Sequence, residues 1–439
     1  MKNKYSLFTA ITMITGVVIG SGIFFKADDI LVYTNGNMLL GIGIFIAAAT
    51  AIVFGCLTIA QLAMKTDNPG GIVAYAEEFV NEGVSRSFGW FQTFLYLPAI
   101  SAVVAWVTGM YFCQLFNIES SLETWTLIGV IVLILLFALN VLSAKLGGMF
   151  QNASMIIKLV PLLLLAIVGL FFGKPGSIIV NDISTMKVAT SSGGWITAFA
   201  PIAFSFDGWI VSTSICHEIK DSKRSFPIAL SVAPFLILLA YVSYFVGLTS
   251  LLGTETVLSN GNDSVFLASR FLFGDFGAKI VLLFVVISVL GTVNGLVLGY
   301  IRMPYSLAIR NMVPFSKLLK KEDKRLNGMP LNSAIFAFII SMIWMLLHYI
   351  TQKIGMRGDV SEIAIAVSYL NYIILYITVM KMAKKGEIKG KISGYLFPAL
   401  AILGSIIILS GSITNPMFPY YFIICISIMI AGYLWKFKA

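Results

Sequence analysis

Two short stretches of this 439-residue chain combine residue types suited to gripping a small charged molecule. The first is Thr15-Gly16-Val17-Val18-Ile19-Gly20-Ser21-Gly22-Ile23-Phe24-Phe25, with three glycines in an apolar run. The second is Ala203-Phe204-Ser205-Phe206-Asp207-Gly208-Trp209, with an Asp-Gly pair in an equally apolar setting. Glycine lowers helix stability by ~1 kcal/mol and Asp-Gly is a turn dipeptide, so each stretch is expected to interrupt a helix. An interrupted helix leaves unpaired backbone groups at both half-ends. The N–H groups that open the second half suit an anion, and the C=O groups that close the first half suit a cation. Two such breaks side by side can hold both poles of a zwitterion. The amides of Gly20, Ser21 and Gly22 would take a carboxylate, with a further bond from the Ser21 hydroxyl. The carbonyls around Val18, Phe204 and Asp207 would take an ammonium. Glycine at these positions lets a ligand approach the backbone.

Each of these residues has a plainer reading as well. Gly16 and Gly20 form a GxxxG pattern, which serves close helix packing in membranes. Asp207 either caps the second half of its helix or adds negative charge beside an ammonium, where it can titrate. Phe204 and Phe206 are core aromatics, unless one of them flanks the break and closes over a ligand. Lys158, in Asn152-Ala153-Ser154-Met155-Ile156-Ile157-Lys158-Leu159-Val160-Pro161, lies deep in an apolar segment. A lysine there costs ~3 kcal/mol on insertion scales. It needs oxygen partners, from the first break and from Ser288 or Thr292, or else it snorkels toward the interface.

The elements that must position these groups are membrane helices. Hydrophobic residues make up 58% of the chain and charged ones 11%, against about 25% charged in a soluble domain. Apolar runs of about 20 residues recur, the length that crosses a bilayer as a helix. The short alternating segments of an outer-membrane barrel are missing. The spacing predicts twelve spans: 6–33, 38–62, 89–114, 124–143, 148–172, 195–216, 227–252, 278–306, 331–351, 362–383, 393–412 and 417–436. The first run lacks a cleavage site and is read as a membrane helix, not a signal peptide. The segment 65–87 is expected to form a short interfacial helix after Pro69-Gly70-Gly71, and 253–277 a loop that can fold over the outer mouth, unless each is a simple connection. With the N-terminus inside, most of the 30 basic residues fall on the cytoplasmic side. Lys26, Lys174, Lys187, Arg270, Lys279, Lys353 and Arg357 fall outside. The net charge of +10 is thus explained by topology rather than by nucleic acid. The expected location is the cell membrane, with both termini cytoplasmic.

Four cysteines (Cys56, Cys113, Cys216, Cys425) lie in apolar runs, and His217 and His348 are far apart in sequence. No disulfide framework, metal site or cofactor is expected. An enzyme would need a nucleophile–base pair or metal ligands at membrane depth, and a channel a filter loop or charged ring. Neither pattern is present.

The two breaks fall five spans apart, in corresponding positions of two five-helix halves, 6–172 and 195–383. Residues 393–436 fall outside the halves. That is the pattern of an inverted-repeat transporter. GVVIGSGIFF, NPGGIVAYAEE, AFSFDGW followed by HEIKDSKRSFPIA, the lysine of IIKLVP, and GTVNG with Arg302 together resemble the amino acid–polyamine–organocation superfamily. The likeness is to its L-amino acid transporter branch, and bacterial serine/threonine and alanine–serine–cysteine exchangers are nearest in feel. The resemblance implies an all-α, twelve-helix, five-plus-five inverted-repeat fold (the LeuT type) with two extra C-terminal helices. It implies carboxylate binding at Ser21 and Gly22, ammonium binding at the Val18, Phe204 and Asp207 carbonyls, and gating by Phe204. It also implies that Lys158 replaces a sodium ion between spans one and eight, and that Tyr241 faces the substrate. The family's FAYxGW reads FSFDGW here, so Ser205 and Phe206 stand for Ala and Tyr. The loop 117–123 lacks the cysteine that holds a disulfide-linked subunit in eukaryotic relatives.

The expectation is a sodium-independent exchanger of small neutral L-amino acids working by alternating access. A proton-coupled symporter with Lys158 as proton carrier is the rival. A cationic amino acid or polyamine carrier is a third reading, and it lacks core carboxylates beyond Asp207.

Overall fold

The computed structural model describes residues 6–20, 22–66, 71–191, 193–210, 219–326, 328–356 and 358–435. Several helices begin where a side chain caps them or end where glycine or proline interrupts them. Helix α1 (Leu7–Val18) starts at Ser6, whose hydroxyl accepts the Thr9 amide, and stops where Ile19 turns extended (φ −64°, ψ 103°). Helix α2 (Gly22–Tyr33) follows, and α3 (Met38–Ala63) opens on Asn37, which accepts the Leu40 amide at 2.8 Å. Helix α4 (Gly71–Phe79) is the short helix expected in the polar segment; Pro69 and Gly70 lie outside the described residues. Helix α5 (Glu82–Phe91) continues through a π turn at Gln92–Tyr96 into α6 (Leu97–Phe116). The cause is Pro98, which cannot donate to a carbonyl four residues back. The third apolar stretch runs over Glu82–Phe116, longer than the expected 89–114, because the helix already opens at Asn81, which accepts the Val84 amide.

Helix α7 (Leu122–Leu142) is capped by Ser121, and α8 (Ala144–Ile157) by Ser143. Helix α8 ends at Lys158, before α9 (Leu159–Phe172). Pro161 explains this interruption, since it lacks the N–H that would bond the Ile157 carbonyl. Helix α10 (Pro175–Ser191) occupies a stretch where no element was expected. Helix α11 (Phe199–Ser205) stops in a turn whose Gly208 has φ +94°. Helix α12 (Ser222–Leu252) carries Pro227 and Pro234 inside it. Helices α13 (Thr254–Asn260) and α14 (Ser264–Ile309) fill most of the expected 253–277 loop, and α14 is broken at Gly274 (φ 67°, ψ −176°). Four more follow: α15 (Ser316–Leu319), α16 (Leu331–Lys353), α17 (Val360–Lys384) and α18 (Phe397–Ile413). A π turn before Pro398 repeats the Pro98 device ahead of α18. Last comes α19 (Phe418–Leu434).

Among the described residues there are nine helices long and apolar enough to cross a membrane. They coincide with expected spans two to five and seven to eleven. Three shorter apolar helices, Leu7–Gly16, Gly194–Ser205 and Phe418–Leu434, coincide with spans one, six and twelve. Two of the three are short because they end at the breaks.

The chain divides into two compact units interleaved in sequence. One contains Met1–Val80, Leu159–Val281 and Ile365–Asn415; the other contains Asn81–Lys158, Leu282–Ala364 and Pro416–Ala439. In the first, α9 and α12 meet backbone to backbone at Gly169 and Gly247, and Gly404 of α18 faces Ala51 of α3. Asp182 of α10 accepts the Leu39 amide at 2.9 Å, while its own carbonyl accepts from Asn37 at 2.8 Å, so α10 is tied to the start of α3. Burial pushes the Asp182 carboxyl up, opposed by the backbone bonds it accepts. In the second unit, Gly109 of α6 faces the Trp125 backbone of α7, and Gly432 of α19 faces the Trp90 ring. Small residues at crossings are how membrane helices gain van der Waals contact, since lipid supplies no hydrophobic drive between them.

Candidate functional site

The two breaks belong to the same unit. Helix α1 ends at Val18 and α2 begins at Gly22; α11 ends at Ser205. The start of α2 lies against the end of α11. A Cβ built on Gly22 would stand 2.9 Å from the Ser205 Cα and 3.0 Å from the Phe204 ring. Only glycine fits there. Ser21 lies outside the described residues, as do 211–218, which include Cys216 and His217 and the stretch where the expected second half of the sixth span would fall.

A tyrosine joins the two breaks. The hydroxyl of Tyr241, on α12 and fully buried, donates to the Ser205 carbonyl at 2.8 Å and lies 3.3 Å from the Val18 carbonyl. The Gly20 amide is directed at the same oxygen. One phenolic proton serves one good acceptor, so the shorter bond commits Ser205 and leaves Val18 the weaker claim. The Phe204 carbonyl accepts the Asp207 amide at 3.1 Å within the turn. The Ser205 hydroxyl turns back to the Pro201 carbonyl at 3.0 Å.

The two phenylalanines separate into different roles. Phe206 is a core aromatic, edge-on to Tyr241 (5.1 Å) and to Phe45 (6.5 Å). Phe204 is at the break, touching the Gly22 position and edge-on to Phe25 at 5.2 Å. Asp207 is half-buried, within electrostatic range of Tyr369 and Tyr372. Below it, Trp209 stands edge-on to Tyr372 at 5.2 Å, and Gly55 of α3 faces the Trp209 ring and the Tyr376 hydroxyl.

Lys26, besides its expected place on the outer side of the membrane, is 3% exposed inside α2. Its ammonium lies 5.3 Å from the Phe25 ring, 5.6 Å from the Phe204 ring, and 3.3 Å from the Asp29 carboxylate. Cation–π contact and the ion pair replace the water it would otherwise need. Asp28, beside it, was also overlooked as a carboxylate within a span; it is half-buried, facing the Gly261 position. The FFKADD order after the glycines carried that signal, because positions 22 and 26 share a helix face.

Lys158, Ser288 and Thr292 all belong to the second unit. Lys158 is 5% exposed, at the interruption of the fifth span, where the chain passes from one unit to the other. Thr292 bonds the Ser288 carbonyl at 3.1 Å, and the buried Ser288 hydroxyl has no partner among the described residues. Gly291 packs on Ser154, and Asn294 donates to the Gly147 carbonyl (2.9 Å) and to Gln151 (3.1 Å). That antiparallel register, continued one turn, sets Ser288 at the level of Lys158. The asparagine of GTVNG completes a knot by accepting from Asn140 at 2.8 Å. Among the described residues no cluster of His, Cys, Asp and Glu could hold a metal ion.

Known proteins share this architecture. A serine/threonine exchanger, SteT of Bacillus subtilis (strain 168), is 27% identical over 95% of this chain and 93% of its own. The b(0,+)-type amino acid transporter 1 of Mus musculus is 25% identical over 100% of this chain and 88% of its own. The crystal structure of MhsT in complex with L-phenylalanine aligns with a TM-score of 0.56 at 14% identity, covering 96% and 98% of the two chains, which is a likeness of fold. The sequence pattern of the family described as "Amino acid permease" matches residues 5–433. Two interrupted apolar helices meeting at a buried tyrosine, in a chain matched by that pattern almost end to end, lead to one conclusion: the chain belongs to the amino acid permease family of the amino acid–polyamine–organocation superfamily, and is a multi-pass membrane transporter of amino acids.

Proposed function

We propose that this transporter is a sodium-independent exchanger of small neutral L-amino acids such as alanine, serine, threonine and cysteine. The observation that carries the reading is the meeting of the two breaks at Gly22 and Ser205 under the Tyr241 hydroxyl. The substrate carboxylate takes the amides that open α2, at Gly20, Ser21 and Gly22, where the helix end is positive. The ammonium takes the carbonyls of Val18, Phe204 and Asp207. Tyr241 holds the Ser205 carbonyl so that the two ends keep their spacing. Phe204 closes the site, and alternating access follows from its opening to either side. The name of the serine/threonine exchanger that this chain resembles supports exchange of small hydroxylated amino acids.

In this reading the chain crosses the membrane twelve times, as inverted repeats 6–172 and 195–383 plus helices in 393–436, with both termini cytoplasmic. Lys158 takes the place of a coupling ion, with Ser288 and Thr292 nearby. No disulfide-linked subunit is needed, since the loop 117–123 offers no cysteine. The test is counterflow of radiolabelled alanine in proteoliposomes against unlabelled amino acids. Efflux should require external neutral amino acid and persist when choline replaces sodium; a sodium requirement refutes the coupling. The burial of Lys158 at the interrupted fifth span favours one other reading, proton symport. Uptake driven by a pH gradient without internal amino acid would select it.

A further inference from the structure

Arg302, singled out together with GTVNG, is not used by the proposed transport site. It lines a cavity of about 450 Å³ in the second unit, together with Lys145, Ser143, Tyr305 and Ser306. That size falls within the ~300–1,000 Å³ of small-molecule sites. Val141 also borders a second, apolar groove of about 250 Å³ between α7 and α16, walled by Ile134, Phe137, Ala138, Ala334 and Phe338. The two cavities share Val141 in their walls, and Pro330 of the first is followed in the chain by Leu331 of the second. One end is basic and rich in hydroxyls; the other is a channel of bare hydrocarbon.

We propose that this composite pocket is a binding site for an anionic glycerophospholipid, its phosphate between Lys145 and Arg302 and one acyl chain along the α7–α16 groove. Charge complementarity decides the occupant. Arg302 donates one N–H to the Leu298 carbonyl at 2.9 Å, and a guanidinium carries four more N–H donors. The opposing carboxylate is Glu322, which accepts from the Tyr305 hydroxyl. Lys145 and Arg302 outweigh it, and Arg310 bonds Ser306 at the rim. Basic pockets between membrane helices on the cytoplasmic side take anionic headgroups, and this end carries the basic loops that the positive-inside rule puts in the cytosol. The groove adds selectivity rather than strength, because an acyl chain already in hydrocarbon gains little by moving into it. A soluble phosphate ester would use the basic end and leave the groove empty.

The test uses the full chain purified in detergent, with native mass spectrometry of lipid retained after titration with phosphatidylglycerol or with phosphatidylcholine of the same chains. Wild type should retain phosphatidylglycerol preferentially. The Lys145→Gln/Arg302→Gln variant should lose that preference by roughly tenfold, while Lys317→Gln/Lys320→Gln, outside the pocket wall, should keep it. Ala138→Phe, from an exposed groove position, should weaken lipid retention with an unchanged thermal transition. Equal loss in both charge variants would mean general attraction and overturn the site. Displacement of the lipid by soluble glycerol phosphate at equal concentration would overturn the lipid as occupant.

Discussion

The break region of one unit and the asparagine knot of the other both place polar groups where a membrane protein has no water, and they satisfy them differently. At the breaks the polar groups are backbone. The Val18 and Ser205 carbonyls and the Gly20 amide are exposed because α1 and α11 stop, and one side chain, Tyr241, covers them. In the knot the helices run on, and the polar groups are side chains bonded to each other and to a helix end. Asn294 uses both of its N–H groups and its oxygen. A region closed by three directed bonds resists rearrangement. A region closed by one hydroxyl with a 2.8 Å bond and a 3.3 Å contact can exchange that hydroxyl's neighbours for a ligand. Backbone polarity suits a site that must open; side-chain polarity suits a frame that must not.

The largest expected effect breaks the comparison on the first side. In Gly22→Ala the added methyl meets the Ser205 backbone and the Phe204 ring. Overpacking costs ~1–3 kcal/mol, and here it pushes apart the two ends proposed to hold the substrate. Alanine counterflow should fall roughly a hundredfold while the protein still elutes as a single species. Wild-type counterflow in Gly22→Ala would mean the two breaks do not form the site together.

Lys158→Ala comes next. The ammonium is buried where the fifth span is interrupted by Pro161, so removing it relieves an insertion cost as it deletes bonds. The fold should survive with an unchanged thermal transition, and the exchange rate should drop about tenfold at saturating substrate. Normal kinetics would remove Lys158 from the cycle.

What the sequence made legible follows from what is local. The glycines of GSG and the Asp-Gly pair name their own breaks, because backbone freedom is a property of those residues. Apolar run length named the spans. The start of the third span did not show, because the helix opens at Asn81, which accepts the Val84 amide, and its first turns are polar rather than apolar. That Lys26 is buried did not show, because its partners Phe204 and Asp29 are set by tertiary and helical contact. The Asn140–Asn294 bond joins residues 154 positions apart, and no local pattern encodes such a pairing. The interleaving of the two units is likewise a matter of tertiary contact. Of the proposed site, Val18, Gly22 and Phe204 could be read from the break; Ser205, whose carbonyl carries the Tyr241 bond, could not, because its side chain suggested nothing.

Tyr241→Phe sharpens the first side by removing one oxygen and keeping the ring on Phe206. The Ser205 carbonyl loses its donor, a loss of ~1–3 kcal/mol if no water replaces it. The apparent KM for alanine should rise several-fold and maximal exchange should change less. A variant with unchanged KM would mean the hydroxyl does not set the spacing of the breaks.

The smallest expected effect on transport comes from the knot, and that smallness is the point. Asn294→Ala deletes three hydrogen bonds between α14 and its neighbours α7 and α8. Side-chain bonds between membrane helices average ~0.6 kcal/mol each, so the total is about 2 kcal/mol. The Asn140 side chain and the Gly147 carbonyl lose their partner in a dry interior, which adds to the cost. The thermal transition in detergent should fall by several degrees, while the KM for alanine at a temperature where the protein stays folded should match wild type. A frame residue moves stability and spares affinity, whereas Tyr241→Phe should do the reverse. If Asn294→Ala shifts KM as much as Tyr241→Phe does, the knot is part of the moving site and the division between frame and site fails.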